Sequence, residues 1–256
     1  MPEPDLQLLK DAAIAAGEIA LKYFRADPES WDKGGGQGPV SEADLEIDRM
    51  LKAELLAARP DYGWLSEETE DSSDRLDHDH VFIIDPIDGT RSFIAGHENF
   101  SHSLAIARKG VVTAAVVHLP AKDMTFTAHA GGGAFMNGAA ISNSGMASET
   151  GARILAAGSQ FKPEFWNGNP PPVERHFRSS LAYRLCLVAN GRFDGMVTLR
   201  KAWEWDIAAG DLIGQEAGAK TGTKRGELAR YNNTDPRVDG MISAAPAVYD
   251  GLLARL

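Results

Sequence analysis

Apolar residues recur at helical spacing near the start of the chain: Leu8, Leu9, Ala12, Ala16, Ile19, Ala20 and Tyr23 share one face of a helix over residues 5–24. Pro28 marks its end. The stretch Ser41-Glu42-Ala43-Asp44 has the S-x-x-D spacing of a helix N-terminal box, which predicts a second helix running to about Arg59 and stopped by Pro60. Between the two helices, residues 33–39 read Lys-Gly-Gly-Gly-Gln-Gly-Pro, too rich in glycine for the interior of a helix or strand, and predict a loop. The pattern then changes period. Residues 62–66 and 81–84 are short apolar runs of strand length, each ending in carboxylates and separated by the acidic segment 67–80. Residues 103–108 and 111–118 flank Lys109-Gly110 as a hairpin, and 124–128 add a strand.

Residues 142–153 lose apolar periodicity and gather Ser, Gly, Asn and Thr, which places a boundary near residue 148. Residues 1–148 form an α+β unit on this reading. Residues 149–256 alternate: strand 154–158, helix 180–190, strand 194–199, helix 205–217, strand 241–244 and a terminal helix 247–256. Such alternation predicts sheets sandwiched between helix layers.

With 256 residues, 43% of them hydrophobic, the chain is long enough to bury a sizeable core as one large or two smaller domains. No apolar run approaches the length of a membrane span, and the N-terminal Met1-Pro2-Glu3-Pro4-Asp5 lacks the features of a signal peptide, so a cytoplasmic protein is expected. The formal charge of -10 argues against nucleic acid polymers or anionic membranes as partners, since both require a basic face. The single cysteine, Cys186, lies in an apolar stretch and reads as a small hydrophobe rather than a nucleophile.

The informative chemistry follows the apolar run 81–84. Asp85 ends it, Pro86 restricts the backbone, and Asp88-Gly89-Thr90 turns the chain sharply. Two carboxylates three residues apart at the end of a buried strand repel and lose hydration, at a cost of several kcal/mol unless a cation or proton compensates. Hard carboxylate oxygens suit magnesium, or manganese in its place, rather than zinc. Backbone N–H groups of Gly89 and Thr90 at such a turn can converge on an anion. A D-x-x-D turn alone is often just a solvated acidic turn, but average residue usage puts the hexad D-P-[IL]-D-G-T at about one chance match in ten million positions.

Carrying that hexad, the sequence resembles the inositol monophosphatase superfamily. The resemblance extends through most of the chain: Trp64-Leu65-Ser66-Glu67-Glu68 is similar to the family's paired-glutamate strand end, Lys33 and Asp44 to its mobile-loop lysine and T-x-x-D aspartate, and Trp205-Asp206-Ile207-Ala208-Ala209-Gly210 to its W-D-x-A-[AG]-G segment. Ser41 stands where the family has threonine. By itself Asp206 would read as a helix N-cap. The resemblance implies a layered α-β-α-β-α sandwich and a magnesium-dependent, often lithium-sensitive phosphatase that is frequently a homodimer. It implies about two or three magnesium ions held by Glu67, Asp85, the Ile87 carbonyl, Asp88 and Asp206. Glu67 and a Thr90-Asp44 pair are then expected to orient and deprotonate the attacking water, and Asp88, Gly89, Thr90, Lys33, Arg200 and Asp206 to contact substrate.

The substrate is expected to be a small phosphorylated metabolite, read mainly from residues 197–206. Inositol phosphatases commonly carry a glutamate seven residues before the second metal aspartate, and Leu199 stands there. Arg200 and Lys201 read either as contacts to a second phosphate or as solvated strand-end charges. Trp203 reads either as a base-stacking residue or as packing. The segments 179–184 and 204–206 lean toward the 3′(2′),5′-bisphosphate nucleotidase branch, as for adenosine 3′,5′-bisphosphate, with inositol 1-phosphate, histidinol phosphate and fructose 1,6-bisphosphate as alternatives. None of His78, His80, His97 and His102 accompanies a zinc-ligand spacing. A non-catalytic metal- or phosphate-binding regulatory protein is the rival of another class; the retention of Asp44, Glu67, Asp85, Asp88, Thr90 and Asp206 argues against it.

Overall fold

Side chains alternate along the strand His80–Asp88: Val81 and Ile83 join one hydrophobic core, and Phe82 and Ile84 another. The next two strands, Ser101–Arg108 and Val111–Leu119, divide likewise, with Leu104, Ile106, Ala114 and Val116 on the Phe82 side and Ala105, Ala107, Ala115 and Val117 on the other. A sheet apolar on both faces must be covered on both. The helices Pro2–Tyr23 and Glu42–Ala58 cover the Phe82 face through Leu9, Ala13, Ala16, Ile47, Leu51 and Leu55. Fully buried Phe82 contributes about 2–3 kcal/mol of apolar transfer there.

The computed structural model describes residues 2–35 and 38–256. Among these, the first sheet has seven strands in sequence order from Gly63–Ser66 to Ala139–Ala140, with only the first pair parallel. Its second face packs on the helices Leu181–Ala189 and Glu204–Glu216, whose other side meets Leu155, Met196 and Met241 of a five-stranded sheet. The far face of that sheet, with Ile154, Val197 and Ile242, packs on Val248, Tyr249 and Leu252 of the helix Pro246–Leu253. The layers therefore run α-β-α-β-α, as the sequence resemblance implied. The sheets fall on either side of residue 148, while the middle helices share a core with both.

Gly210 shows how tightly that middle layer is packed. A Cβ there would lie 2.5 Å from the Leu185 Cβ, so only glycine lets the two helices approach this closely.

The long elements follow the predicted boundaries closely; the differences lie in short pieces. The strand expected over 154–158 is Arg153–Leu155, and the chain turns into a 3₁₀ segment at Gly158–Phe161. The strand expected over 194–199 is Gly195–Thr198, and the terminal helix ends at Leu253. The pairs Ala134–Met136 with Ala139–Ala140, Ser30–Asp32 with Pro39–Ser41, and Ala202–Trp203 with Arg237–Val238 carry too few residues for a periodic signal. The predicted 33–39 loop includes Gly36 and Gln37, which lie outside the described residues.

Candidate active site

Parallel pairing of Gly63–Ser66 with His80–Asp88 places Ser66 opposite Ile84, so Glu67, just past the end of its strand, stands level with Asp85 within the next. The Glu67 N–H donates to the Ile84 carbonyl at 3.2 Å. The turn that carries Glu67 is secured from below: the Ser66 and Thr69 hydroxyls both donate to the buried Asp48 carboxylate.

In a regular strand, residues three apart face opposite sides, which would separate Asp85 from Asp88. Here the register shifts by one residue, with Asp85 opposite Ser103 and Asp88 opposite Ser101. The bulge absorbs Pro86, which has no N–H for a ladder, and both aspartates line one cleft. The Pro86 carbonyl accepts a hydrogen bond from Nδ1 of the fully buried His102. Gly89 follows at φ +100, and a Cβ there would lie 3.1 Å from the Asn99 carbonyl oxygen, so the turn requires glycine.

The Thr90 hydroxyl lies 3.2 Å from Asp44 Oδ1 and 3.0 Å from the Ile87 carbonyl oxygen and donates toward both. Asp44 accepts in addition from the Ser41 hydroxyl and, at 2.9 Å, from its N–H, the reciprocal half of the predicted N-terminal box. From the second half, Asp206 projects from the first turn of Glu204–Glu216; the N-cap position belongs to Trp203. Oxygens of Glu67, Asp85 and Asp206 lie within 4.8 Å of one another. Asp88, in the same cleft, accepts at Oδ2 from two donors, the Ser180 hydroxyl and the Ala182 N–H, each at 2.7 Å.

The electrostatics are those of a site built for a cation. Burial raises the carboxyls of Asp44 and Asp88 to about 6, against the hydrogen bonds that lower them. Burial and the neighbouring carboxylates push Asp85 and Asp206 well above the ordinary range. Both Asp85 oxygens are buried, with no hydrogen-bond partner among the described residues. Three oxygen-donor residues with no histidine or cysteine, one with both oxygens unpartnered, fit a hard divalent cation.

Lys33 stands beside this cluster, its Nζ 2.8 Å from Glu67 and 2.9 Å from Glu68. Burial, then the Glu67 charge, raises Glu68 to about 7. Burial works against the Lys33 charge, and the two glutamates outweigh it.

The cleft, about 470 Å³, is lined by Glu67, Asp85, Asp88, Gly89, Thr90 and Asp206 together with Arg91, Phe177, Ser179 and both Trp203 and Trp205. Arg200 does not reach it. Val197 and Leu199 alternate into the core behind the second sheet, and Arg200 follows as an exposed residue outside the cleft wall. Lys201 pairs with the exposed Asp235 at 3.0 Å. Trp203 is in the wall, but its ring stacks on Trp205 at 4.7 Å and carries the Arg237 guanidinium at 5.1 Å. Sequence reasoning did not single out Arg91 or Phe177 as contacts, or Arg184, whose charge lowers the Asp88 carboxyl. The signal for Arg91 was its place directly after the hexad.

Comparison with known proteins agrees with this geometry. The model of the family described as "Inositol monophosphatase family" matches residues 1–256. The chain belongs to the inositol monophosphatase family. This family member is 39% identical over 229 residues to the inositol-1-monophosphatase of Rhizobium meliloti, covering 83% of each chain. It is 30% identical over 261 residues to the histidinol-phosphatase of Chlorobaculum parvum, covering 99% of this chain and 96% of the other. The solved Thermotoga maritima IMPase superposes with a TM-score of 0.83 at 30% identity over 99% of this chain and 96% of that one. The inositol monophosphatase family chain is thus a phosphatase, a hydrolase of phosphoric monoesters, in a family that is generally metal-dependent. No helix among the described residues is long and apolar enough to cross a membrane.

Proposed function

We propose that this phosphatase is magnesium-dependent and hydrolyses a small phosphorylated metabolite with a planar leaving group, of the 3′(2′),5′-bisphosphate nucleotide type. The convergence of Glu67, Asp85 and Asp206 oxygens within 4.8 Å, beside the Gly89-Thr90 turn, carries the reading. Glu67, Asp85, Asp88, Asp206 and the Ile87 carbonyl would hold about two or three magnesium ions, with manganese as a substitute. Bound there, the ions supply positive charge to the phosphoryl oxygens and lower the pKa of a water toward neutrality.

This chain's own groups do the rest. Thr90, donating toward Asp44, and Glu67 orient the attacking water and take its proton. N–H groups of Gly89 and Thr90, at the start of the turn where no intrahelical partner exists, hold phosphate oxygens. Asp88, fixed by Ser180 and Ala182, and Asp206 face the leaving group. Lys33 neutralises Glu67 and Glu68 and meets a phosphate oxygen on leaving them. Arg200 drops out of this reading, and Arg91, in the cleft wall, takes its place as the cation for a second anionic group. Residues 1–148 and 149–256 act as two cooperating units, the second supplying Asp206.

A wall that includes Phe177, with Leu199 in the core where a hydroxyl-binding glutamate would stand, supports a leaving group that carries a planar ring over a polyol. The second reading is inositol 1-phosphate, supported by the 39% identity to an inositol-1-monophosphatase. Phosphate release from adenosine 3′,5′-bisphosphate, inositol 1-phosphate, histidinol phosphate and fructose 1,6-bisphosphate, with magnesium or with chelator, separates these. The proposal expects magnesium-dependent release, fastest from the nucleotide. Faster release from inositol 1-phosphate would reverse the substrate reading, and turnover unaffected by chelator would sink the metal.

A further inference from the structure

The hairpin of Ser30–Asp32 and Pro39–Ser41 leaves Trp31 46% exposed, and the indole has neither an aromatic partner nor a hydrogen bond among the described residues. It stands over a separate hollow of about 390 Å³ that it shares with Asp32, Pro39, Arg91, Ile94 and Ala95. Pro39 and Arg91 line this hollow and the reaction cleft alike, so the two spaces adjoin at these residues. A Cβ on Gly38 would lie 3.3 Å from Arg91 Nη2, which places the guanidinium against the hairpin backbone. Arg91 forms no ion pair or side-chain hydrogen bond among the described residues. The one carboxylate in the hollow, Asp32, is turned into its own loop, where it accepts the Gly34 N–H at 2.7 Å.

We propose that this hollow is a second substrate subsite, in which Trp31 stacks on the planar ring carried by the leaving group while Arg91 binds the second, non-scissile phosphate. The inference rests on the phosphatase reading above and deepens it. A phosphate held at Gly89 and Thr90 lies next to Arg91 in sequence and space, and a leaving group directed past Arg91 meets the indole. A planar face matches a free indole face, and an unpaired guanidinium matches a second phosphate. Trp203 does not offer this, because Trp205 and Arg237 already pack on it.

The test compares three probes, adenosine 3′,5′-bisphosphate, adenosine 3′-monophosphate and glycerol 2-phosphate. Trp31→Ala is expected to lower the ratio of kcat/KM for either nucleotide to that for glycerol 2-phosphate by about tenfold, through KM, and Trp31→Phe to restore most of it. Arg91→Gln is expected to lower kcat/KM for the bisphosphate more than for the monophosphate. Calorimetric titration with adenosine 3′,5′-bisphosphate in chelator reads the same site without turnover and should show about tenfold weaker binding in Trp31→Ala. Unchanged ratios and unchanged binding would overturn the subsite while leaving the phosphatase reading intact. Absence of magnesium-dependent turnover on all three probes would count against the proposed reaction, and the titration would still decide the subsite.

Discussion

Replacing Asp85 by asparagine should make the metal-free protein more stable and the metal-loaded protein less so. Asp85 is buried with both oxygens unpartnered among the described residues, and its carboxyl is pushed up by burial and then by Glu67, Asp88 and Asp206. An unsatisfied buried polar group costs about 1–3 kcal/mol, and more when charged. A folded carboxyl with a raised pKa holds its proton more tightly than the unfolded one. Its contribution is therefore full below about pH 4 and is lost as pH rises, by up to about 1.4 kcal/mol per unit. Asparagine does not titrate. In chelator at pH 7.5, Asp85→Asn should thus exceed the wild type by about 1–3 kcal/mol, or roughly 3–9 °C in Tm for a chain of this size. The gap should be smaller at pH 5. Magnesium at about a hundred times its Kd should stabilise the wild type by about 2.7 kcal/mol, and the variant by far less. Urea and thermal denaturation at both pH values, with and without magnesium, measure all four conditions. A gap independent of pH, or equal gains from magnesium in the two proteins, would refute the reasoning.

Thr90→Val keeps the volume and removes the hydroxyl that joins Asp44 to the Ile87 carbonyl, so kcat should fall about 10²–10⁴-fold with the circular dichroism spectrum unchanged. His102 is lowered to about 3 by burial, so its contribution is present above pH 6.5 and lost as pH falls toward 3; by pH 5 the wild type should have lost about 2 kcal/mol relative to His102→Asn, measured by urea denaturation. Glu204, fully buried one residue before Trp205-Asp206, accepts from the N–H groups of Asn232 and Asn233 and from the Asn233 amide at 2.6–3.0 Å. Glu204→Gln should cost about 2 kcal/mol and weaken stabilisation by magnesium, because the helix start that presents Asp206 loses its anchor.

The sequence by itself determined the reaction class, because the hexad 85–90 carries a family resemblance that gives Glu67, Asp44 and Asp206 their meaning. It also located the long elements, since apolar runs at 81–84, 103–108 and 111–118 and helical spacing in 5–24 are properties of short windows, while the order of the layers came from the family resemblance. Tertiary structure alone decided how those residues meet. The parallel register that sets Glu67 beside Asp85, the bulge that turns Asp85 and Asp88 to one side, and the fold that brings Asp206 across are long-range pairings. Arg200 and Arg91 show the same limit. Both are arginines at the end of a suggestive motif, yet one follows a side chain buried behind the second sheet and the other follows Thr90 into the cleft. Arg200 points as the parity of the strand Gly195–Thr198 and the core behind it dictate, where one residue of register would reverse the answer, whereas Arg91 is placed by the helix that starts at Thr90.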